Sequence, residues 1–368
     1  MIYRDKRRID MKVIVWGASQ NFFSKKSYYK NMEIMAMVDR NPDKWGKFFT
    51  WGEREIQIVP PDELRAYSYD KILIGCDAIK EVTNQLTKEM GIPKEKIITW
   101  VDIDNEVAKS VIEKYRICPD EEIQSIIKYY SENGFNIFGT YKADVNPLYQ
   151  VYRDNHDRPY ILFEGKKMYY PQSFSFVNCD GKQYVYNVLR EQGEKSPHLY
   201  VRNNDEIKED SVIVDAGVCE GNFALRYVDK AKKIYLIESD PQWIKALKMT
   251  FSDYQDKVVI CNKFLTRYES ESTTTLDELV QEDIDFLKMD IEGAEIDAIL
   301  GGKNILRKSN ARCAICSYHK KNDEENIRYL LETYGYQTST SEGYMFFPYD
   351  ENILDTMDFR RGVVYGAK

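Results

Sequence analysis

Histidine is scarce in this chain, with three in 368 residues, so any chemistry that needs an imidazole has few candidates. Long apolar runs are missing. No stretch approaches the roughly 18 consecutive apolar residues of a membrane helix, and the opening residues carry no apolar signal-peptide core. A cytoplasmic location without membrane insertion is the expectation. Positive charge is in deficit, with 52 Lys and Arg against 60 Asp and Glu and a net charge of -8. That balance speaks against a nucleic-acid partner held by a broad basic field, and the short opening "YRDKRRID" reads as a solvated tail. Cysteine is odd in number, seven without framework spacing, which points to reduced thiols rather than a disulfide scaffold. Cys313 and Cys316 form a lone CxxC in an apolar run and read as core residues, so no metal site is expected.

What is present is a soluble-type composition, 43% hydrophobic and 30% charged, with 28 Tyr. The length suggests two domains. Strand-like runs "KVIVWGA" (12–18), "EIMAMVDR" (33–40), "DKILIGC" (70–76) and "KIITWV" (96–101) alternate with helical stretches such as Ala78–Met90. That alternation predicts βαβ units and a parallel sheet in residues 1–104. The turn "WGASQNF" keeps Gly17 but has Ser19 and Phe22 where a dinucleotide fingerprint wants glycines, and Asp39 stands where a ribose-binding acid would. A degenerate nucleotide-type fold and NAD binding both remain open for this domain. "VDRNPDKWGK" resembles the second-strand pattern of nucleotide-binding-like domains beside sugar-modifying enzymes.

Residues 105–204 predict a helical linker, with apolar spacing in "EVAKSVIEKY" and "EEIQSIIKYY", and then an aromatic β-hairpin insert. Its hairpins are expected around Gly165 and around Asp180-Gly181. From 205 to 368 the alternation returns. Five parallel-type strands are followed by two terminal strand runs, "YMFFPY" and "RRGVVYGA", the pattern of an open sheet with an antiparallel edge hairpin. The fold class expected is α/β with two doubly wound domains.

Ligands of such sheets bind at the carboxyl ends of the strands. Four strand runs of the last domain end on a polar residue: Asp215, Glu238, Asp290 and His319. "VIVDAGVCEGNF" adds Gly217, Gly221 and Asn222 at the first turn. A phosphate loop would need Lys-Ser or Lys-Thr after its last glycine, and an acid at that strand end suits a sulfonium and an ammonium better than a pyrophosphate. Glu238 suits two ribose hydroxyls.

At these residues the sequence resembles the FkbM family of S-adenosylmethionine-dependent methyltransferases. "VIVDAGVCEGNF" is similar to its first motif, "IYLIESDPQW" to its ribose-binding strand, "TTTLDEL" to its lead-in and "IDFLKMDIEGAEIDAILGG" to its acidic signature. Val218-Cys219 stands where many members have Ala-Asn. The likeness implies a class I methyltransferase domain with a seven-stranded mixed sheet. The implied reaction is O-methylation of a hydroxyl on a carbohydrate or polysaccharide precursor, with S-adenosylmethionine as cofactor. Cofactor contacts are then expected from Asp215, Gly217, Gly221, Asn222, Glu238 and Asp290.

A sugar hydroxyl is a weak nucleophile and gains from a general base near neutrality. His319 is the expected base, Asp290 its orienter, and Glu292 and Glu295 the next acids in line; His198 is an expected acceptor-side residue. Lys288 is expected to pair with a carboxylate. Asp290 and Glu292 suit Mg²⁺, but no full ligand set is visible. The acceptor is a small molecule or glycan, and a homo-oligomer is allowed. Two other readings stand beside this one: an NAD-dependent sugar-nucleotide oxidoreductase or epimerase centred on the first domain, and a catalytically silent cofactor-binding assembly module.

Overall fold

The computed structural model describes residues 11–19, 22–23, 26–76, 78–142, 149–172, 185 and 188–368. The chain forms two compact units: Met1–Ile137 with Phe347–Asp358, and Phe138–Phe346 with Phe359–Lys368. The division therefore falls at 137/138 rather than at 104/105, and twelve residues near the C-terminus return to the first unit. The expected helices are there, at Trp100–Tyr115 and Glu121–Asn133, but they belong to the first unit instead of linking two. The first also starts earlier than the apolar pattern suggests. Thr99 accepts from the Asp102 N–H while Asp102 accepts from the Thr99 N–H, a capping box that converts the end of the "KIITWV" run into a first helical turn.

In the first unit, strands β1 (Met11–Trp16), β2 (Met32–Val38), β3 (Phe48–Trp51), β4 (Arg54–Val59), β5 (Lys71–Ile74) and β6 (Ile97–Thr99) form one sheet in the order β3-β4-β2-β1-β5-β6. All neighbours are parallel except β3 with β4, a hairpin that alternation with helices does not foreshadow. Ile14, Trp16, Val38, Ile72 and Ile74 are core residues of this unit. The turn after β1 is closed by its own side chains. Phe22 is fully buried, Ser19 Oγ donates to the Gly75 carbonyl at 2.6 Å, and a Cβ on Gly17 would lie 2.8 Å from the Cys76 Cβ. Asp39 Oδ2 accepts from the Ala18 N–H and from Lys44 Nζ, both at 2.9 Å, and Oδ1 from the Asn41 N–H at 2.8 Å. Asp39 thus holds together the turn after β1 and the loop that follows β2.

In the second unit, β7 (Tyr152–Arg153), β8 (Pro159–Phe163) and β9 (Lys166–Tyr169) form a small antiparallel sheet around the expected turn at Gly165, whose φ is +82°. The hairpin expected around Asp180-Gly181 lies outside the described residues. The main sheet uses β10 (Ser211–Ala216), β11 (Ala231–Ile237), β12 (Val258–Cys261), β15 (Phe286–Met289), β16 (Arg312–Cys316), β17 (Gln337–Thr340) and β18 (Val363–Ala367), with a two-residue pair β13 (Phe264–Leu265) and β14 (Thr273–Thr274) beside it. Its order is β12-β11-β10-β15-β16-β18-β17. The strands are parallel except for β18, which runs antiparallel to both β16 and β17. The expected seven-stranded mixed sheet is present and ends in an antiparallel edge pair, β17 with β18, whose first strand is Gln337–Thr340 rather than the later run expected there. The "YMFFPY" run supplies only an isolated bridge, Met345 to Arg360. Every residue of β10 and β15 is buried, as central parallel strands covered on both faces require. Cys313 is buried in the core with Val214, Leu287, Met289, Ile315 and Val364, and Cys316 is fully buried, so both are interior thiols as read. Among the described residues no helix is long and apolar enough to cross a membrane.

Candidate active site

Strand order reverses at β10, with β11 on one side and β15 on the other, so the carboxyl ends of these strands open a crevice. The turn after β10 is built by close packing. Gly217 has φ +75°, and a Cβ there would sit 1.6 Å from the Asp290 carbonyl oxygen. Gly221 has φ +82°, and its Cβ would meet Leu247 Cδ2 at 2.8 Å. The two glycines were expected to let backbone approach a ligand. They instead let the turn press onto β15 and onto the helix Pro241–Thr250, which fixes its N–H groups in place. Gly217→Ala is accordingly expected to destabilise the second unit by roughly 3 kcal/mol, combining overpacking with a left-handed penalty, and urea unfolding checks it.

Asp215 is wholly buried beneath this turn, and Lys288 Nζ stands 3.0 Å from its Oδ1. The same ammonium donates to the carbonyls of Ala216 and Gly217. Burial opposes the charge of Lys288, but Asp215 and Asp290 outweigh it and hold the amine above its ordinary range. Asp215 is therefore tied to the turn through Lys288. The pairing expected of Lys288 is present.

Glu238, just past β11, accepts from the Cys219 N–H at 3.0 Å and from the Asp240 N–H at 2.8 Å, one on each oxygen. Cys219 takes a left-handed φ of +47°, a strained conformation for a residue with a side chain. Asn222 opens the helix Asn222–Tyr227, and its Oδ1 accepts from the Phe223 N–H at 2.6 Å. Its side chain lines a cavity of about 530 Å³ together with Leu199, Val201, Asn203, Phe223 and Tyr227.

Asp290 is the hub. Oδ2 accepts from the Tyr200 hydroxyl at 2.7 Å and faces His198 Nε2 at 3.3 Å. Oδ1 accepts from the Tyr318 hydroxyl at 3.1 Å and faces His319 Nε2 at 3.4 Å. Burial alone would raise its pKa, yet His198, His319 and Lys288 hold Asp290 well below the usual carboxylate range.

His319 is buried, with Nδ1 3.1 Å from Glu295 Oε1 and Nε2 3.7 Å from Glu292 Oε2. Burial works against its charge, but Glu295 first, then Asp290 and Glu292, raise it above the ordinary imidazole range. Glu295 is 1% exposed, and the same Oε1 also accepts from the Ile291 N–H at 2.9 Å, which fixes the oxygen that faces the ring. The orienter of His319 is therefore Glu295, with Asp290 on the opposite nitrogen. Arg360 Nη1 donates to the carbonyls of Tyr318 and His319, both at 2.9 Å, and pins that segment from β18's side. Glu292 has a φ of +55° and leaves its carboxylate largely in solvent.

His198 was expected on the acceptor side. It is buried behind Asp290, with Nδ1 3.4 Å from Glu191 Oε2, and its chain neighbours Leu199 and Val201 line the cavity in its place. Two trios, His198 with Asp290 and Cys316 and Asp290 with Glu295 and His319, bring ligand-type atoms within 4.8 Å of one another. These separations are those of groups already paired with each other as acid and imidazole, so no ion is assigned. The hairpin β8–β9 docks on the helices, through Tyr169 N–H to Thr250 Oγ1 at 2.9 Å and Arg226 to Glu164 at 2.7 Å, and no residue of it lines the cavity. Glu191, Tyr200, Tyr318 and Arg360 escape a sequence reading because nothing local marks their partners.

Residues 166–338 match the family model described as the Methyltransferase FkbM domain, and residues 9–98 match the one described as C2185-like, N-terminal. No curated protein matches the chain. Among solved structures, methyltransferase FkbM from Methylobacillus flagellatus aligns over 98% of this chain and 91% of its own, at 15% identity and a TM-score of 0.45. An rRNA methylase from Streptococcus thermophilus aligns over 45% of this chain and 90% of its own, at 18% identity and a TM-score of 0.31. SMU.1697c from Streptococcus mutans, in complex with SAH, aligns over 45% and 94%, at 16% identity and a TM-score of 0.30.

Proposed function

We propose, for a chain whose residues 166–338 match the Methyltransferase FkbM domain model, S-adenosylmethionine-dependent transfer of a methyl group to a hydroxyl of a carbohydrate or polysaccharide precursor. The observation that carries this reading is the imidazole of His319, held from behind by Glu295 and turned at Nε2 toward the acids at the exit of β15.

The donor set fits the cofactor. Each Glu238 oxygen holds one backbone N–H and keeps a lone pair for a ribose hydroxyl. The turn Gly217–Asn222 offers backbone N–H groups fixed by packing, and Asp290 offers a carboxylate kept charged. When bound, the cofactor supplies an electrophilic methyl group. The chain's own part is positional and protolytic. Nε2 of His319 takes the acceptor hydroxyl's proton, Glu295 retains the Nδ1–H, and Asp290 stabilises the imidazolium that forms. Exposed Glu292 orients the acceptor. The cavity beside Tyr200 receives the rest of it, since amide side chains at Asn203 and Asn222 suit vicinal hydroxyls and the Tyr227 ring suits an apolar sugar face.

The experiment is incubation with methyl-labelled S-adenosylmethionine and a panel of oligosaccharides, followed by mild alkali. Label that survives alkali is the ether expected of a methylated hydroxyl. Label released by alkali marks a methyl ester and contradicts the reading.

The base also sets a pH dependence. A base must be deprotonated, so kcat/KM falls as pH drops through the His319 pKa, and the partners named above place that limb above the ordinary 6.5. Glu295→Gln removes the largest of those charge partners. The acid limb of the variant is expected to move to lower pH while kcat falls, as a pH–rate profile will record.

A further inference from the structure

We propose that His198 sets the proton affinity of the base His319 through the one carboxylate the two rings share, Asp290. The arrangement is a chain of five alternating groups. Glu191 Oε2 lies 3.4 Å from His198 Nδ1, and His198 Nε2 lies 3.3 Å from Asp290 Oδ2. Asp290 Oδ1 lies 3.4 Å from His319 Nε2, and His319 Nδ1 lies 3.1 Å from Glu295 Oε1. Each oxygen of Asp290 thus serves one imidazole and one phenol, Tyr200 on the His198 side and Tyr318 on the His319 side. The Tyr318 ring is also in contact with both imidazoles, its centroid 5.1 Å from that of His198 and 4.1 Å from that of His319.

Both histidines are buried, so charges at this spacing are poorly screened. His198 is built to be charged. Burial disfavours that form, yet Asp290 and Glu191 overcome it and lift the ring to about 9. A cation on one oxygen of Asp290 draws on the negative charge that the other oxygen presents to His319, and it repels a second proton on His319 directly. Without it, Glu295 and Asp290 together would hold His319 protonated to a higher pH and leave less free base. His198 touches no substrate in this scheme; it is a tuning residue.

The other groups facing the pair are accounted for. His198 meets Cys316 Sγ at 3.4 Å and Tyr200 Oη at 3.3 Å, and Lys288 stands 5.3 Å from the Tyr200 ring centre. His319 meets Glu292 at 3.7 Å, with Arg360 on its carbonyl. Lys320, next in the chain, donates its N–H to Asp323 and its ammonium to the Gly293 carbonyl. None of these bridges the two rings as Asp290 does.

The catalytic meaning of this coupling rests on the function proposed above, but its measurement does not. Three histidines in the chain give three ring signals in an NMR titration of histidine-labelled protein, assigned by substitution. His198→Gln is expected to raise the His319 midpoint by about half a unit or more. His319→Gln is expected to raise that of His198 by a similar amount, because pairwise coupling is reciprocal, and this second variant serves if the first does not fold. A His319 midpoint that stays or falls in His198→Gln, or a His198 midpoint that stays in His319→Gln, overturns the proposal. A chain that transferred no methyl group would still show the coupling, so the two readings fail separately.

Discussion

Replacing Lys288 with methionine is expected to destabilise the second unit by about 3–5 kcal/mol, the range for breaking a buried ion pair from one side. The magnitude follows from burial. The Asp215 side chain is 1% exposed and that of Lys288 5%, so the variant leaves a carboxylate in the core with its counter-ion gone. Among the described residues Oδ2 of Asp215 has no hydrogen-bond partner, so no second donor there takes over. The loss reaches the site as well, because Lys288 also ties down the carbonyls of Ala216 and Gly217 at the start of the cofactor turn. Adding Asp215→Leu to Lys288→Met removes both charges and is expected to recover much of the stability, since a buried pair replaced by apolar groups is often neutral. Urea unfolding of the two single variants and the double variant forms the cycle. A Lys288→Met midpoint equal to that of the parent would contradict the account of the turn.

The largest effect on rate is expected at His319. His319→Gln keeps a polar side chain of similar reach but cannot take the proton, and kcat should fall by about 10²–10⁴-fold, the usual contribution of a general base. Affinity for S-adenosylhomocysteine should stay within a small factor, because Glu238 and the turn Gly217–Asn222 are untouched. The pair of readouts separates loss of the base from loss of the fold. Turnover of the variant within about tenfold of the parent would assign the base elsewhere, with Glu292, 3.7 Å from Nε2, the next acid.

Much of this was legible because parallel sheets place chemistry at strand ends. An apolar run such as "VIVDAG" or "DFLKMD" must be a buried strand, and the polar residue that terminates it must emerge at one edge of the sheet. Glu238, Asp290 and His319 were readable on that basis, and so was the seven-stranded sheet. What could not be read were the partners. His198, backed by Glu191, meets Asp290 across about ninety residues of sequence, and Arg360, just before β18, meets the His319 carbonyl. Side-chain networks of that kind have no periodicity. The insertion of β18 between β16 and β17 was likewise hidden, because an antiparallel strand in a core and one at an edge can share the same apolar run. Asp39 was left open for a related reason. An acid after a second strand suits a ribose, but it also satisfies the backbone N–H groups of two adjacent loops, and here it does the latter.

Glu238 stands at the same kind of position as Asp39 and likewise grips the loop after the first strand of its sheet. The account separates them by what fills the first turn. The β1 turn is occupied by buried Phe22 and the Ser19–Gly75 bond, whereas the β10 turn carries Cys219 in a strained conformation held by Glu238 itself. Strain of that kind persists where the surroundings enforce it, and it is concentrated at ligand sites.

Calorimetric titration tests whether the crevice at β10, β11 and β15 is built for a methyl donor. S-adenosylhomocysteine is expected to bind the intact chain at one site, and Glu238→Ala is expected to weaken binding by about 10²–10⁴-fold, the loss of two hydrogen bonds to a charged group. NAD is expected to give no heat. Binding of S-adenosylhomocysteine that survived Glu238→Ala unchanged, or its absence alongside binding of NAD, would contradict the claim.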